Sequence, residues 1–256
     1  MANTVYVVTG TNKGIGHGLV KALLARPSTT VVASVRNEEA AASLRSAIAG
    51  VTRGGGSGFH IMILDFTRAP TPAAVMEAFK NATLDAVDRV DVLVGNAAAP
   101  FPMTRTHATS AQDLRDAFEV NTIAPLMVFQ GLWPLMDKPR GPDDGPAKFI
   151  GVTSSVGSIG SQEPLPGGAY GPSKAALNWL VRSLHAQHEN LVSVAVHPGW
   201  VQTYMGNSVA KDWKYEAGPP DTIDSSTNGV LAVMDGATRE TTSGKFVTHK
   251  GQILPW

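Results

Sequence analysis

A tyrosine and a lysine four residues apart carry the clearest chemistry in this sequence. Tyr170 and Lys174 open a predicted helix, where residues at positions i and i+4 lie on one face. A phenol has a reference pKa of about 10, which is too high for efficient proton exchange at neutral pH, and a nearby ammonium stabilises the phenolate. We therefore predict that Lys174 lowers the pKa of Tyr170. The phenol would then act as general acid in the reduction of a carbonyl group and as base in the reverse direction.

A pair of serines ends the fifth predicted strand. Ser154 and Ser155 stand where the strand meets a loop, and ligand sites in open parallel sheets lie at the carboxyl ends of strands. A hydroxyl at this place would donate a hydrogen bond to a substrate oxygen beside the tyrosine. Because a Ser-Ser pair alone most often forms a turn or a cap, its position relative to the other motifs carries the argument.

A glycine-rich loop follows the first predicted strand and opens the first predicted helix. Its glycines have the spacing G-x-x-x-G-x-G. Glycines permit a tight turn and a close backbone approach, and a helix N-terminus offers unpaired N–H groups to a pyrophosphate. The loop therefore predicts a dinucleotide site, formed by Gly10, Asn12, Lys13, Gly14, Ile15 and Gly16.

Two basic residues favour NADP(H) over NAD(H) as the cofactor. An NAD site usually has an acidic residue about 20 positions after the glycines, but the residue 20 positions after Gly16 is Arg36. A guanidinium can pair with a 2′-phosphate in a bidentate manner, and Lys13 adds a second positive charge. The alternative is that both residues are solvated surface charges.

Alternating strand and helix patterns place these motifs. The predicted strands are Thr4–Val8, Thr30–Val35, His60–Leu64, Val90–Val94, Lys148–Thr153, Leu191–Val196 and Gly244–Thr248. The predicted helices are one that ends at Pro27 and the segments Glu38–Ile48, Ala73–Ala86, Ala111–Leu135 (with Ser110 as N-cap) and Tyr170–His188. This order indicates βαβ crossovers. We predict an α/β fold: a single Rossmann-like, doubly wound domain over residues 1–256, with a parallel sheet of approximately seven strands.

One longer segment is a candidate substrate lid. Met205–Pro220 is predicted to be a loop, and long loops in compact domains are often functional. Trp200, Tyr204, Met205 and Trp213 either wall a pocket or pack in the interior, and as pocket walls they would suit a flat, apolar substrate. We interpret His197 as a packed residue at a strand end.

Composition excludes several classes of function. With 21 basic and 21 acidic residues the net charge is zero, which argues against nucleic acid or an anionic membrane as partner. The sequence has no cysteine, so thiol catalysis, zinc–thiolate sites and disulfides are excluded. No apolar stretch reaches the length of a membrane span, and the first residues do not form a secretory signal. We expect a cytoplasmic protein that acts on a small molecule, with no metal site.

Taken in order along the chain, these motifs resemble those of the short-chain dehydrogenase/reductase superfamily. The matching elements are T-G-x-x-x-G-I-G (Thr9–Gly16), Asp65 after the third strand, Asn96-Ala97 after the fourth, Asn121 in a helix, the serine, Y-x-x-S-K (Tyr170–Lys174) and P-G-x-V-x-T (Pro198–Thr203). Two departures are visible. Gly95–Ala98 reads G-N-A-A where the family has N-N-A-G, and a small insertion lies around Gln162–Gly167.

The resemblance implies a catalytic tetrad, namely Asn121, Ser154, Tyr170 and Lys174. Asn121 would hold a water next to Lys174, and Lys174 would also bind the nicotinamide ribose. In the family the serine stands three residues before a glycine. Gly157 therefore selects Ser154, with Ser155 as the runner-up.

The same resemblance implies further cofactor contacts. Asp65 would bond the adenine, and Asn96 would lie under the cofactor. The residues beside the nicotinamide carboxamide would be Pro198, Gly199, Val201 and Thr203.

The segments Val31–Asn37, Glu240–Val247 and Gly251–Trp256 resemble fungal ketoreductases similar to norsolorinic acid ketoreductase, which reduce aromatic polyketide ketones with NADPH. This implies an NADPH-dependent ketoreductase for a bulky or aromatic secondary metabolite. Two alternatives stay open: imine reduction or a templated cyclisation with the same fold and cofactor, or a non-catalytic NADPH-binding regulator. Members of the superfamily are often dimers or tetramers, so the resemblance also allows a homodimer or a homotetramer.

Overall fold

The chain forms one β-sheet with helices on both faces. The computed structural model describes residues 3–141 and 144–256, so residues 1, 2, 142 and 143 of the predicted domain lie outside the described part. The strands are β1 (Thr4–Val8), β2 (Thr29–Val35), β3 (Gly58–Ile63), β4 (Val92–Gly95), β5 (Ala147–Val152), β6 (Leu191–His197), β7 (Phe246–Thr248) and β8 (Ile253–Leu254). The α-helices are α1 (Gly14–Leu24), α2 (Glu38–Ile48), α3 (Pro72–Thr83), α4 (Ala111–Phe118), α5 (Ala124–Met136), α6 (Tyr170–Gln187), α7 (Tyr204–Asp212) and α8 (Ile223–Gly236).

The strand order across the sheet is β3-β2-β1-β4-β5-β6-β7-β8, and β1 to β7 run parallel. This order confirms the Rossmann-like, doubly wound α/β class, with a crossover between β1 and β4. The predicted count of about seven strands is one short. The missing strand is β8, which pairs antiparallel with β7 after a turn in which Gly251 has a φ of +80°. Two residues are too few to produce a detectable periodic pattern.

Each face of the sheet has its own hydrophobic core. On one face α1, α2 and α8 supply the buried side chains Leu19, Leu44 and Val230. On the other face α3, α5 and α6 supply Phe79, Leu132 and Val181. All seven residues of β2 are buried, because helices cover both sides of this parallel strand. Within the described residues no helix is both long and apolar enough to cross a membrane.

The predicted long helix over Ala111–Leu135 is interrupted. It begins as expected, with the Ser110 hydroxyl accepting the Asp113 N–H at 3.0 Å. A π-helical turn over Glu119–Ile123 then separates α4 from α5. Such turns insert an extra residue into a helix and are frequent at functional sites. Here the turn contains Asn121, which is fully buried.

Two helices were not predicted. The segment Met205–Pro220 was expected to be a loop, but α7 covers its first half, so that expectation is wrong there. The Thr203 hydroxyl caps α7 by accepting the Gly206 N–H at 3.1 Å. In the same way the Thr222 hydroxyl caps α8 by accepting from Ser225 at 3.1 Å. These capping threonines were the available signals for both helices.

The loop between β1 and α1 packs tightly against the end of β4. The Asn96 amide donates to the carbonyls of Thr9 at 2.8 Å and Gly10 at 3.1 Å. A Cβ on Gly16 would lie 2.3 Å from the Gly10 carbonyl oxygen and 2.6 Å from Asn96 Nδ2. Gly10 and Gly14 have φ values of +69° and +59°, a region that L side chains rarely adopt. The glycine spacing in the sequence is therefore a packing requirement of this turn.

Substitution of Gly16 by alanine should destabilise the fold. We expect Gly16→Ala to lower the free energy of unfolding by about 2 kcal/mol, because the new methyl group overlaps the Gly10 carbonyl. Urea denaturation followed by circular dichroism measures this. Gly50→Ala is the matched control, since a Cβ at Gly50 meets nothing within 4 Å. Equal stabilities of the two variants would contradict the packing argument.

Candidate active site

A cavity of about 860 Å³ opens at the carboxyl ends of β5 and β6. Its walls are the segment after β5, the start of α6, the segment after β6 and the helix α7. Predicted site residues that line it are Ile15, Ser154, Tyr170, Pro198, Gly199, Val201 and Thr203. The cavity therefore brings together residues that are far apart in the sequence, at the sheet edge where parallel α/β folds bind their ligands.

Ser154 begins the turn that follows β5. Its Oγ accepts the Val156 N–H at 3.3 Å and caps a short 3₁₀ helix over Ser155–Gly157. A Cβ on Gly157 would lie 2.8 Å from the backbone of Lys174 and Ala175. A glycine at this position therefore lets the turn over Ser154–Ser158, which we call the serine turn, approach α6.

Tyr170 is the first residue of α6 and is 8% exposed. The chain reaches it through Gly168, which has a φ of +52° and donates its N–H to the Thr104 carbonyl at 3.1 Å. A Cβ on Gly168 would lie 2.1 Å from the Pro102 carbonyl oxygen. Gly168 is a positioning residue that sequence reasoning missed, and its signal was only a Gly-Gly pair in a loop.

The pKa values of Tyr170 and Lys174 differ from the sequence-based expectation. Burial raises the pKa of Tyr170 to about 12, and a hydrogen bond with the Ser154 hydroxyl opposes this rise. Burial also lowers the pKa of Lys174 to about 7. The Lys174 amine lies 5.6 Å from the centre of the Tyr170 ring and donates to the Val152 carbonyl at 3.0 Å. Lys174 alone therefore does not lower the pKa of the phenol, because desolvation dominates it and the opposing contribution comes from Ser154. The further lowering expected beside an oxidised nicotinamide stays a prediction.

Asn121 connects the π-helical turn to α6. Its Oδ1 accepts the Ala99 N–H at 2.9 Å, and its Nδ2 donates to Ser173 Oγ at 3.2 Å. Ser173 Oγ in turn donates to the Tyr170 carbonyl at 2.7 Å. Asn121 thus holds the first turn of α6 from behind. The water that the resemblance places between Asn121 and Lys174 stays a prediction.

The predicted dinucleotide loop lies beside this cavity. A Cβ on Gly14 would lie 3.3 Å from Thr203 Cγ2, so the loop touches the segment after β6. Lys13 is the N-cap of α1 and makes no side-chain capping bond. The first-turn N–H groups of α1 therefore have no capping side chain, and the glycines allow the tight turn that precedes them. These features fit a pyrophosphate at the helix N-terminus.

Most of the residues predicted to select and orient the cofactor are exposed. Arg36 and Lys13 are exposed, with the Lys13 amine 5.0 Å from the centre of the Tyr204 ring. Asn12 is exposed as well, and so is Asp65, whose Oδ1 accepts the Thr67 N–H at 2.9 Å. Asn96 uses its amide to hold the glycine loop, as described above. The predicted NADP(H) preference thus rests on two exposed basic side chains.

The segment after β6 is held from behind by a carboxylate. Asp221 Oδ2 accepts the Trp200 N–H at 3.1 Å, and a Cβ on Gly199, where φ is +91°, would lie 2.4 Å from that oxygen. His249 Nε2 lies 3.6 Å from Asp221 Oδ1. Sequence reasoning gave no role to Asp221 or His249, which are distant from the motifs along the chain.

The aromatic residues divide between the two alternatives of the sequence analysis. Trp200, Met205 and Trp213 line the cavity, whereas Tyr204 does not line it and is 73% exposed. Trp200 and Trp213 meet edge to face with ring centroids 5.5 Å apart. The Trp213 indole donates to the Pro166 carbonyl at 2.9 Å. This bond joins the end of α7 to the insertion around Gln162–Gly167 in the cavity wall.

Known proteins are similar to this chain in sequence and in fold. A family model described as short chain dehydrogenase matches residues 4–214. Norsolorinic acid ketoreductase nor1 of Dothistroma septosporum is 36% identical over 258 aligned residues, which cover 99% of this chain and 92% of that protein. Short-chain dehydrogenase RED3 of Pyricularia oryzae is 35% identical over 261 aligned residues, covering 99% of both.

Solved structures agree with these relatives. The NADPH-bound carbonyl reductase from chicken fatty liver superposes with a TM-score of 0.81 at 27% identity, covering all of both chains. The carbonyl reductase Sniffer of D. melanogaster superposes with a TM-score of 0.79 at 28% identity, also covering all of both chains. The family model spans most of the sequence, and the relatives match it over almost its full length. The chain therefore belongs to the short-chain dehydrogenase family.

Proposed function

We propose that this protein is an NADPH-dependent ketoreductase in which Tyr170 is the general acid. The observation that carries the proposal is that Ser154 and Tyr170 line one cavity beside an uncapped helix N-terminus, with the buried Lys174 amine 5.6 Å from the centre of the Tyr170 ring. Two families of relatives support it, the norsolorinic acid ketoreductases by sequence and the carbonyl reductases by structure. The serine, tyrosine and lysine together favour catalysis over a purely regulatory use of the cofactor.

The cofactor would be held by the glycine loop, the segment after β6 and two basic side chains. Residues proposed to hold it are Gly10, Asn12, Lys13, Gly14, Ile15, Gly16, Arg36, Asp65, Asn96, Tyr170, Lys174, Pro198, Gly199, Val201 and Thr203. When bound, NADPH supplies the hydride for the carbonyl carbon. Its binding in the chicken carbonyl reductase supports the choice of cofactor.

The chain's own residues handle the oxygen of the substrate. Ser154 donates a hydrogen bond to the carbonyl oxygen and orients it towards the Tyr170 hydroxyl. Since burial holds the pKa of Tyr170 at about 12, the phenol is protonated at neutral pH and can donate to the developing alkoxide. The Lys174 amine, with its pKa lowered to about 7, can exchange protons near neutrality. Asn121 completes the tetrad by fixing the start of α6.

The cavity supports a bulky or aromatic substrate. Its volume of about 860 Å³ lies in the upper part of the range for small-molecule sites. Trp200, Met205, Val209 and Trp213 give it a broad apolar wall. The names of the fungal relatives point the same way, so we propose a ketone of secondary metabolism as the substrate class. A flat ring system would stack against these side chains.

Further features of the proposal come from the sequence. We propose one domain over residues 1–256, in which residues 205–220 act as a lid whose first half is α7 rather than a loop. A cytoplasmic location and a homodimer or homotetramer also stay predictions.

Loss of the Tyr170 hydroxyl should abolish turnover. We expect Tyr170→Phe to reduce NADPH-dependent ketone reduction at least about 10³-fold, because no other donor replaces the phenol. NADPH oxidation, followed by absorbance with flat aryl ketones, measures this. Tyr6→Phe is the matched control, since Tyr6 lies buried in β1 beside Arg26. A Tyr170→Phe protein that binds NADPH and keeps the parent rate would overturn the proposal.

Ser154 and Ser155 can be separated by paired substitution. We expect Ser154→Ala to lower kcat about 10²-fold, because the hydroxyl beside Tyr170 is lost. Ser155→Ala should change kcat less than about threefold, since Ser155 contacts β6 through its backbone N–H, which donates to His197 Nδ1, and the substitution keeps that group. Steady-state kinetics of the two variants decide between the residues, and the opposite ranking would make Ser155 the catalytic serine.

Charge reversal at Arg36 should change the cofactor preference. We expect Arg36→Asp to lower the ratio of kcat/KM for NADPH over NADH at least about tenfold, because a carboxylate repels the 2′-phosphate and can bond a ribose hydroxyl. Arg45→Asp, at an exposed position in the last turn of α2, is the control. An unchanged ratio in Arg36→Asp would show that Arg36 is a solvated surface charge.

A further inference from the structure

The side chain of His197 links the serine turn to β6. It is the last residue of β6, and it lines the cavity. Its ring nitrogen Nδ1 accepts the backbone N–H of Ser155 at 3.1 Å. The sequence analysis interpreted it as a packed strand-end residue, and the proposed function gives it no role.

This hydrogen bond fixes the protonation state of the ring. Since Nδ1 accepts a hydrogen bond, it carries no proton, and the proton of the neutral imidazole lies on Nε2. Burial and the neighbouring His249 lower the pKa of His197 to about 4, while Asp221 opposes this lowering. His249 and Asp221 are the titratable groups that face the ring. His197 is therefore neutral at the pH at which the protein would work, and its acceptor is permanently available.

The N–H that His197 holds belongs to the residue after Ser154. The serine turn is short, since Gly157 and Ser158 donate back to the carbonyls of Ser154 and Ser155 at 2.9 Å each. A shift of the Ser155 amide would therefore displace the Ser154 hydroxyl as well. That hydroxyl lines the same cavity as Tyr170 and lowers the pKa of the phenol. The chain of contacts runs from His197 through Ser155 and Ser154 to the phenol.

We propose that His197 is a positioning residue for the reaction: its neutral Nδ1 holds the Ser155 N–H and thereby keeps the Ser154 hydroxyl beside Tyr170. The inference rests on the proposed function, in which Ser154 and Tyr170 act on the carbonyl oxygen. A ring that only filled space at the end of β6 could be replaced by any side chain of similar shape. A ring that acts as an acceptor requires an acceptor atom at the same place.

Two substitutions separate these roles. His197→Phe keeps a ring but removes the acceptor, whereas His197→Asn places an amide oxygen close to the position of Nδ1. We expect kcat to fall about tenfold in His197→Phe and less than about threefold in His197→Asn, with the dissociation constant for NADPH unchanged in both. His60→Phe is the control, because His60 bonds the Ala82 carbonyl away from the cavity. Melting temperatures identify any loss of kcat that comes from unfolding.

The pH profile gives a readout that a structural role would not change. In the direction of alcohol oxidation Tyr170 must lose its proton, and the Ser154 hydroxyl lowers its pKa. Displacement of the Ser154 hydroxyl in His197→Phe should move the rise of kcat/KM to higher pH. The profile of His197→Asn should return to that of the wild type. Equal profiles for all three proteins, or an asparagine variant as impaired as the phenylalanine variant, would overturn the inference.

Amide hydrogen exchange tests the first contact without any substrate. Exchange at the Ser155 N–H, measured by NMR, should be at least about tenfold faster in His197→Phe than in the wild type and close to the wild-type rate in His197→Asn. Unchanged exchange in His197→Phe would overturn the inference even if the protein reduces ketones. Conversely, a wild-type protein without turnover would contradict the proposed function, and the exchange rates would still report on the contact.

Discussion

The burial of one amine constrains the whole catalytic edge of the sheet. Lys174 is 2% exposed, and within the described residues no carboxylate forms an ion pair with it. Its donation to the Val152 carbonyl is a hydrogen bond to a neutral group, which cannot replace water around a full charge. The neutral amine is therefore favoured, and the pKa falls. An ammonium with a pKa near 7 gives up its proton easily at neutral pH. This suits a residue beside Tyr170, whose phenolate must be reprotonated after each turnover.

That burial requires β5 and α6 to lie close together. Two glycines make this approach feasible: a Cβ on Gly151 would lie 2.8 Å from Val181 Cγ2, and one on Gly157 would meet the backbone at Lys174. The same closeness puts Ser154 next to Tyr170. Desolvation of the lysine and the tyrosine, and the contact between serine and tyrosine, are thus consequences of a single packing arrangement. The site is preorganised by backbone contacts more than by interactions among its own polar groups.

The sequence was a good guide wherever the pattern was local. The bounds of β1 and α2 agree with prediction, and the other predicted strands differ by at most two residues at either end. Motif order alone brought Ser154, Tyr170 and the Pro198–Thr203 segment to one cavity. Local periodicity sufficed because strand and helix faces are determined by near neighbours in the chain.

Features that depend on tertiary environment were not predictable in this way. The π-helical turn at Asn121 has no pattern of its own, since its hydrogen bonds go to Ala99 and Ser173, which are far away in the sequence. The pKa of Tyr170 was expected to fall because the i, i+4 lysine was visible in the sequence, whereas the depth of burial was not. Asp221 likewise accepts a hydrogen bond from the Trp200 backbone N–H, and no pattern of residue types in the sequence indicates such a contact.

The short β8 has a consequence for how copies of this chain can meet. A parallel sheet that ended at β7 would present a row of unpaired backbone groups, a ready template for another strand. Here Ile253–Leu254 covers that row, and Pro255, which has no N–H, follows directly. The carbonyls of Pro255 and Trp256 already accept from Ser158 Oγ at 2.7 Å and the Gly160 N–H at 2.6 Å. The chain therefore covers the β7 edge of its own sheet, which disfavours pairing of β7 with a strand of another copy.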